Sequence, residues 1–192
     1  MFIRNQLVVT GLICVCVLLA RFGTRVDNGN QTSASQSTCS EGWYITGYYV
    51  PREDELPGTA EEISVEGVGN LSFSQNFLNE TRTEGWGITR FGWAVGFYSN
   101  AWHRSDTGAL DSSGKVLVVG TIAVDRSVIP AGSQVQISTL PSPWGSKTLR
   151  ATDVGNGIVG QHIDIFTGTG AAAEQETFRI KSNNNRVCFA TR

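Results

Sequence analysis

Glycine is what most constrains this chain. Its 22 glycines, set against 5 prolines and one methionine, cut the sequence into short runs. Glycine supplies the positive-φ turns between strands and weakens the interior of any long helix. The runs between the glycines are rich in β-branched and aromatic residues, which suit a pleated, half-buried surface. Trp43–Val50 (WYITGYYV) reads as a first strand ending at Pro51, and Lys115–Val124, Gln134–Ser138, Leu149–Thr152, Ile163–Phe166 and Val187–Ala190 read as later ones. Arg52–Gly69 is acidic and turn-rich and reads as a loop. Two stretches favour helix: Ser72–Thr83, with a capping-box pattern at Ser72-x-x-Gln75 and a stop at Gly85, and Gly170–Phe178. The sum is an all-β domain of antiparallel type, closed into a barrel, with short helical inserts and no internal repeat.

Composition narrows the function classes. A net charge of −2 gives no electrostatic case for nucleic acid as a partner. Hydrophobic residues at 40% and charged residues at 17% exclude a disordered chain. No apolar run reaches the 18 residues of a spanning helix. The apolar run Leu7–Ala20, preceded by Arg4, has instead the length and flank of a secretory signal. Residues 1–20 are therefore expected to be a signal peptide or N-terminal anchor, 21–40 a polar linker, and 41–192 the folded domain. Export, with any membrane attachment confined to the N-terminal segment, follows from that division. Cys14 and Cys16 lie in the apolar run, which leaves Cys39 and Cys188 at the two ends of the domain. In an oxidising compartment these two are expected to pair as a disulfide, with two free thiols as the alternative.

Three aspartates interrupt apolar strand edges: Ala123-Val124-Asp125, Ala151-Thr152-Asp153 and Ile163-Asp164-Ile165. A carboxylate between two isoleucines invites desolvation, which raises its pKa, and neighbouring carboxylates raise it further. Such a group is a general acid; the competing reading makes all three turn-capping aspartates bonded to backbone amides. His103 and His162, the only histidines, show no metal-ligand spacing, and no G-x-S-x-G elbow is present. Neither a metal nor an organic cofactor is expected. Five tryptophans stand mostly in glycine-rich surroundings, where flat aromatic faces suit sugar rings. Tyr48, Tyr49, Trp86 and Trp93 are the expected substrate-binding aromatics, although any single one could equally be core.

The segment Ala151-Thr152-Asp153-Val154-Gly155-Asn156-Gly157-Ile158-Val159-Gly160-Gln161-His162-Ile163-Asp164-Ile165-Phe166 resembles the signature of the three-aspartate (3D) domain. That domain is the catalytic barrel of the membrane-bound lytic transglycosylase A family. Ala123 to Gly132 is similar to the family's upstream block, and Thr46-Gly47-Tyr48-Tyr49-Val50-Pro51 to its N-terminal block. The resemblance implies a double-psi β-barrel that cleaves peptidoglycan glycan strands between N-acetylmuramic acid and N-acetylglucosamine, forming a 1,6-anhydro product. It implies Asp164 as the acid/base and Asp125 and Asp153 as its companions. The chain departs from the family where a lysine is common, at Val159. It is also too short for the family's large second domain, so a shallower groove is expected. The domain is expected to act as a monomer. An inverting glycoside hydrolase, with Asp164 as acid and Asp153 as base, and a non-catalytic wall-binding module are the alternatives.

Overall fold

The structure is a computed structural model that describes residues 37–190. The expected signal segment, most of the polar linker, and Cys14 and Cys16 lie outside the described residues. The last four residues of the expected linker, Ser37–Ser40, are already strand.

Six strands close a barrel: β1 (Ser37–Val50), β7 (Thr121–Val124), β8 (Gln134–Gln136), β9 (Leu149–Asp153), β10 (His162–Thr169) and β11 (Ser182–Ala190), in the order β1-β10-β7-β9-β8-β11. The β1–β10 and β7–β9 pairs are parallel and the others antiparallel. Strand alternation fills the interior: Ile45, Ile122, Val124, Val135, Leu149, Ile163, Ile165 and Val187 point inward and are buried. Each isoleucine so buried contributes about 1.5–3 kcal/mol of apolar transfer. Barrel closure falls to the first and last of the described strands, and Cys39 and Cys188 face each other across β1 and β11. Their sulfurs are bonded, with Cα atoms 4.0 Å apart.

Between β1 and β7 the chain builds a second sheet rather than the expected short inserts. It comprises β2 (Ala60–Val65), β3 (Gly69–Ser74), β4 (Trp86–Ile88), β5 (Ala94–Tyr98) and β6 (Ala101–Ser105), in the order β3-β2-β6-β5-β4. β2 lies in the segment read as loop; its Glu-rich outer face masked an alternation that buries only Ile63 and Val65. Helix α1 (Gln75–Glu84) lies against this sheet and buries Phe77, Leu78 and Thr81. Its start corrects the capping-box reading. The N-cap is Ser74 without a side-chain cap, and the Ser74 hydroxyl donates instead to the Leu56 carbonyl at 2.5 Å. Its end is as read, with Gly85 at φ +89°.

A buried apolar seam of Tyr48, Val50 and Phe166 from the barrel with Trp86 and Ala94 from the lobe joins the two sheets. Glu53, 7% exposed, locks the connection by accepting from the amides of Ser74 and Arg90 and pairing with the Arg90 guanidinium. Helix α2 (Ala171–Ile180) crosses β1 where Gly47 leaves room; a Cβ at that position would lie 2.9 Å from Thr177 Cα. Of the run Lys115–Val124 only the last four residues are strand. The part before it is a turn closed by bonds from Leu117 to Ala109 and from Lys115 to Asp111.

Candidate active site

The register of three strands places the acidic residues. Ile163 and Ile165 face the barrel core, so Asp164 between them faces outward. In register, Asp164 stands beside Thr46 of β1 on one side and Ala123 of β7 on the other, and Ala123 in turn pairs with Asp153 of β9. Ala123 thus separates the two aspartates by two strand spacings, about 9–10 Å. Its small side chain leaves space above it. The floor so formed belongs to a cleft of about 320 Å³ lined by Thr46, Gly47, Tyr48, Ala123, Asp153, His162 and Asp164 from the barrel and by Thr83 and Glu84 from α1.

Asp164 is half-buried, and burial raises its pKa most; the Asp153 charge adds to this, while the Thr46 hydrogen bond and His162 oppose it. Thr46 Oγ1 lies 2.6 Å from Asp164 Oδ1 and 2.9 Å from His162 Nε2. His162 Nδ1 lies 3.3 Å from the Gly157 carbonyl oxygen. Asp153 is fully engaged otherwise. Its Oδ2 accepts from the Tyr48 hydroxyl at 2.8 Å, and its Oδ1 from the amides of Ser112 at 2.8 Å and Val154 at 2.9 Å. Burial and the Asp153 charge push the Tyr48 hydroxyl far up, so it remains a donor.

Asp125 does not join this group. Its carboxylate accepts from the Ser127 amide and hydroxyl and from the Gly160 amide at 2.9 Å, and these bonds hold its pKa below the ordinary carboxylate value. It makes no contribution to the raised pKa of Asp164. Its place is that of a turn-capping aspartate, which fixes the 154–161 loop against β7. The third carboxyl facing the cleft is Glu84, at the end of α1. Burial is the main cause that pushes Glu84 up to about 7, assisted by the charges of Asp164, Glu80 and Glu174 and opposed by the Tyr49 amide, which donates to its Oε2 at 3.2 Å.

The aromatic residues divide. Tyr48 and Trp86 line an adjoining cleft of about 460 Å³ that continues past Glu84 and Asp153, together with Phe97 and the half-exposed Tyr98. Tyr49 is buried; with Glu80, Glu84, Glu174 and Lys181 it lines a further recess on the other side of Glu84. Trp93 lies in neither. Just before β5, it packs edge-on against Phe73 of β3 and stacks on Phe91 at the margin of the lobe core. Trp43, Trp102 and Trp144 are buried. Among the described residues no three His, Cys, Asp or Glu side chains converge as metal ligands would.

Residues 120–187 match the 3D domain family. That match runs from the start of β7 into β11. No curated protein matches the chain by sequence. Among solved structures, Escherichia coli MltA with bound chitohexaose is similar at 16% identity with a TM-score of 0.58, covering 77% of this chain and 71% of that one. A membrane-bound lytic murein transglycosylase from Agrobacterium tumefaciens is similar at 13% identity with a TM-score of 0.55, covering 80% and 76%. MltA from Neisseria gonorrhoeae is similar at 13% and 0.51, covering 80% and 75%. At these identities the likeness is one of fold. It extends well beyond the matched 3D domain, so that barrel and inserted lobe both take part in it.

Thr46, His162, Glu84 and Tyr98 are the residues that sequence reasoning passed over. His162 did carry a signal, since it stands two positions before Asp164 and so on the same strand face. Glu84 carried none beyond being the last residue before the Gly85 stop.

Proposed function

We propose that this protein is a lytic transglycosylase that cleaves peptidoglycan glycan strands between N-acetylmuramic acid and N-acetylglucosamine. The observation that carries the reading is Asp164, a half-buried carboxyl with raised pKa on the floor of a cleft whose continuation is walled by Tyr48, Trp86, Phe97 and Tyr98. The fold likeness to MltA, one structure of which holds chitohexaose, supports a glycan in that groove.

Asp164 in its acid form gives its proton to the glycosidic oxygen as the C1–O bond breaks. As carboxylate it takes the proton of the muramoyl C6 hydroxyl, whose oxygen bonds to C1 and closes the 1,6-anhydro ring. One carboxyl serves both transfers because the nucleophile belongs to the substrate, and the enzyme ends in the state in which it began. The reaction calls for neither metal nor organic cofactor. Asp153, with three donors on its two oxygens, is a poor base for a water molecule, which weighs against the hydrolase alternative. Its role in this reading is to fix Tyr48 and the cleft floor. Export of the protein is part of the same reading, supported by the apolar N-terminal run and by the Cys39–Cys188 bond.

The test is digestion of purified peptidoglycan followed by mass spectrometry of the soluble muropeptides. Anhydro ends, lighter by one water than reducing ends, are expected. Asp164→Asn is expected to lower their release by about 10²–10⁴-fold while melting like the wild type. Reducing ends would make the protein a hydrolase, and wild-type turnover in a folded Asp164→Asn variant would remove Asp164 from the chemistry.

A further inference from the structure

The hydrogen bonds around Asp164 form a chain with a direction. Thr46 Oγ1 has one proton and touches both Asp164 Oδ1 and His162 Nε2. At the far end, His162 Nδ1 faces the Gly157 carbonyl oxygen. A carbonyl oxygen can only accept, so the Gly157 contact is a hydrogen bond only when Nδ1 carries the hydrogen. Neutral His162 in that tautomer presents a bare Nε2 to Thr46. The threonine hydroxyl must then donate to Nε2 and turn a lone pair toward Asp164. Two acceptors 2.6 Å apart repel, and only a proton on Asp164 Oδ1 satisfies the contact. The opposite arrangement, in which the Thr46 bond and the His162 charge lower the Asp164 pKa, needs a second hydrogen on the imidazole: Nε2–H donates to Thr46, and Thr46 donates to ionised Asp164.

We propose that His162, acting through Thr46, is the positioning residue that holds Asp164 in its acid form. This rests on the reading of Asp164 as the acid of a glycan-cleaving site. The chain Asp164–Thr46–His162 carries one proton, which sits on Asp164 when the imidazole is neutral and on Nε2 when Asp164 is ionised. No atom is gained or lost in that exchange. One hydrogen moves from Asp164 Oδ1 to Thr46 Oγ1 while the threonine hydrogen moves to Nε2. After Asp164 has protonated the leaving oxygen, its charge faces the lone pair of Thr46, an arrangement relieved when it recovers a proton from the C6 hydroxyl. The lock thus favours completion of the second transfer.

The other ionisable groups facing this chain are Asp153 on β9, whose charge raises the Asp164 pKa, Glu84 on α1 and Tyr48 on β1, both pushed up in part by the Asp164 charge, and Tyr44 on β1, whose ring lies 4.7 Å from the imidazole. Of these, none hydrogen-bonds to Thr46 or to either nitrogen of His162 among the described residues, so the chain has two ends only.

Nitrogen-15 NMR of the histidine side chains in the intact protein tests the proposal without reference to activity. Neutral His162 is expected as the Nδ1–H tautomer, with Nε2 in the unprotonated range. A neutral Nε2–H tautomer would overturn the proposal, because Thr46 would then be free to donate to an ionised Asp164. Muropeptide release across a pH series is the second arm. Thr46→Val removes the hydroxyl at nearly constant volume and is expected to lower the maximal rate about tenfold, one hydrogen bond's worth, with KM unchanged. His162→Gln, which cannot share the proton by ionising, is expected to move the alkaline limb to lower pH, since the pair retains its proton further than a lone carboxyl. Thr46→Ser is expected to restore the wild-type limb. A Thr46→Val profile identical to wild type would overturn the proposal. Absence of glycan cleavage by the wild type would instead overturn the reading of function and leave the tautomer to decide the lock.

Discussion

Replacing Glu84 by glutamine is expected to stabilise the protein, and only above about pH 5. The carboxyl sits where helix α1 meets the cleft, and burial drives it from an ordinary 4.5 up to about 7. That difference corresponds to roughly 3 kcal/mol, at about 1.4 kcal/mol for each pH unit between the folded and unfolded values. The folded value lies above the unfolded one, so the folded state binds the proton more tightly. The associated stability is fully present below pH 4.5 and is lost as pH rises through about 7. Wild-type protein therefore carries an ionised, poorly solvated Glu84 at pH 8.5, and Glu84→Gln does not. The amide keeps an oxygen to accept from the Tyr49 N–H. For a domain of this size each kcal/mol moves the melting temperature by roughly 2–4 °C, so the variant should melt about 6–12 °C higher than wild type at pH 8.5. At pH 4 the two should coincide. Asp164 is shifted in the same direction but is present in both proteins, and it largely cancels in the difference. Thermal melts of both proteins at pH 4, 5.5, 7 and 8.5 read this directly. A difference independent of pH, or a variant less stable than wild type at pH 8.5, would refute the account of Glu84 as a carboxyl kept up by burial.

Other perturbations separate groove from core. Tyr98→Ala, at a half-exposed ring on the groove wall, should weaken chitooligosaccharide binding several-fold in titration calorimetry without changing the melt. Trp93→Ala should leave binding intact and lower stability instead; equal loss of affinity in the two variants would refute the division. Cys188→Ser opens a bond between residues 149 apart in sequence and should cost about 5 kcal/mol in the chain-entropy account, read as a lower denaturant midpoint. Thr81 Oγ1 is buried with no hydrogen-bond partner, so Thr81→Val should raise stability by about 1 kcal/mol, and a loss of stability would show that the hydroxyl is satisfied in solution.

The barrel was legible because its strands obey a single rule. Ile163-Asp164-Ile165 reads as two residues in and one out, and the structure buries both isoleucines completely. The same rule, applied one step further, would have placed His162 beside Asp164. The inserted sheet was not legible. Ala60–Val65 reads AEEISV, and only its pairing with β3 and a single bridge to Trp102 makes a strand of so acidic a segment. Asp125 and Glu84 show why motifs mislead about sites. Asp125 has the flanking sequence of a buried carboxylate, but its Asx turn with Ser127 takes it into the loop. Glu84 has no flanking pattern at all and reaches the cleft because a non-local lobe carries it there. The tryptophans follow suit: Trp86 reaches the groove from β4 with its ring against Gly96, where no Cβ fits, whereas Trp93 stands just before β5 and packs on Phe73.

The bonded pair Cys39–Cys188 makes the domain a ring rather than a line. Its first and last strands are neighbours, and sulfur joins what the peptide backbone leaves open. A nick in an exposed turn, such as Gly67 between β2 and β3, would leave two fragments still covalently attached and still packed across the seam. The same closeness of Ser37 and Ala190 makes the domain a natural subject for circular permutation: a short peptide joining Ala190 to Ser37, with new ends at Gly67, should preserve every strand pair of the barrel. In such a rearranged chain the acid of β10 and the carboxyl of α1 would still meet across the same cleft, since neither depends on where the polypeptide happens to begin.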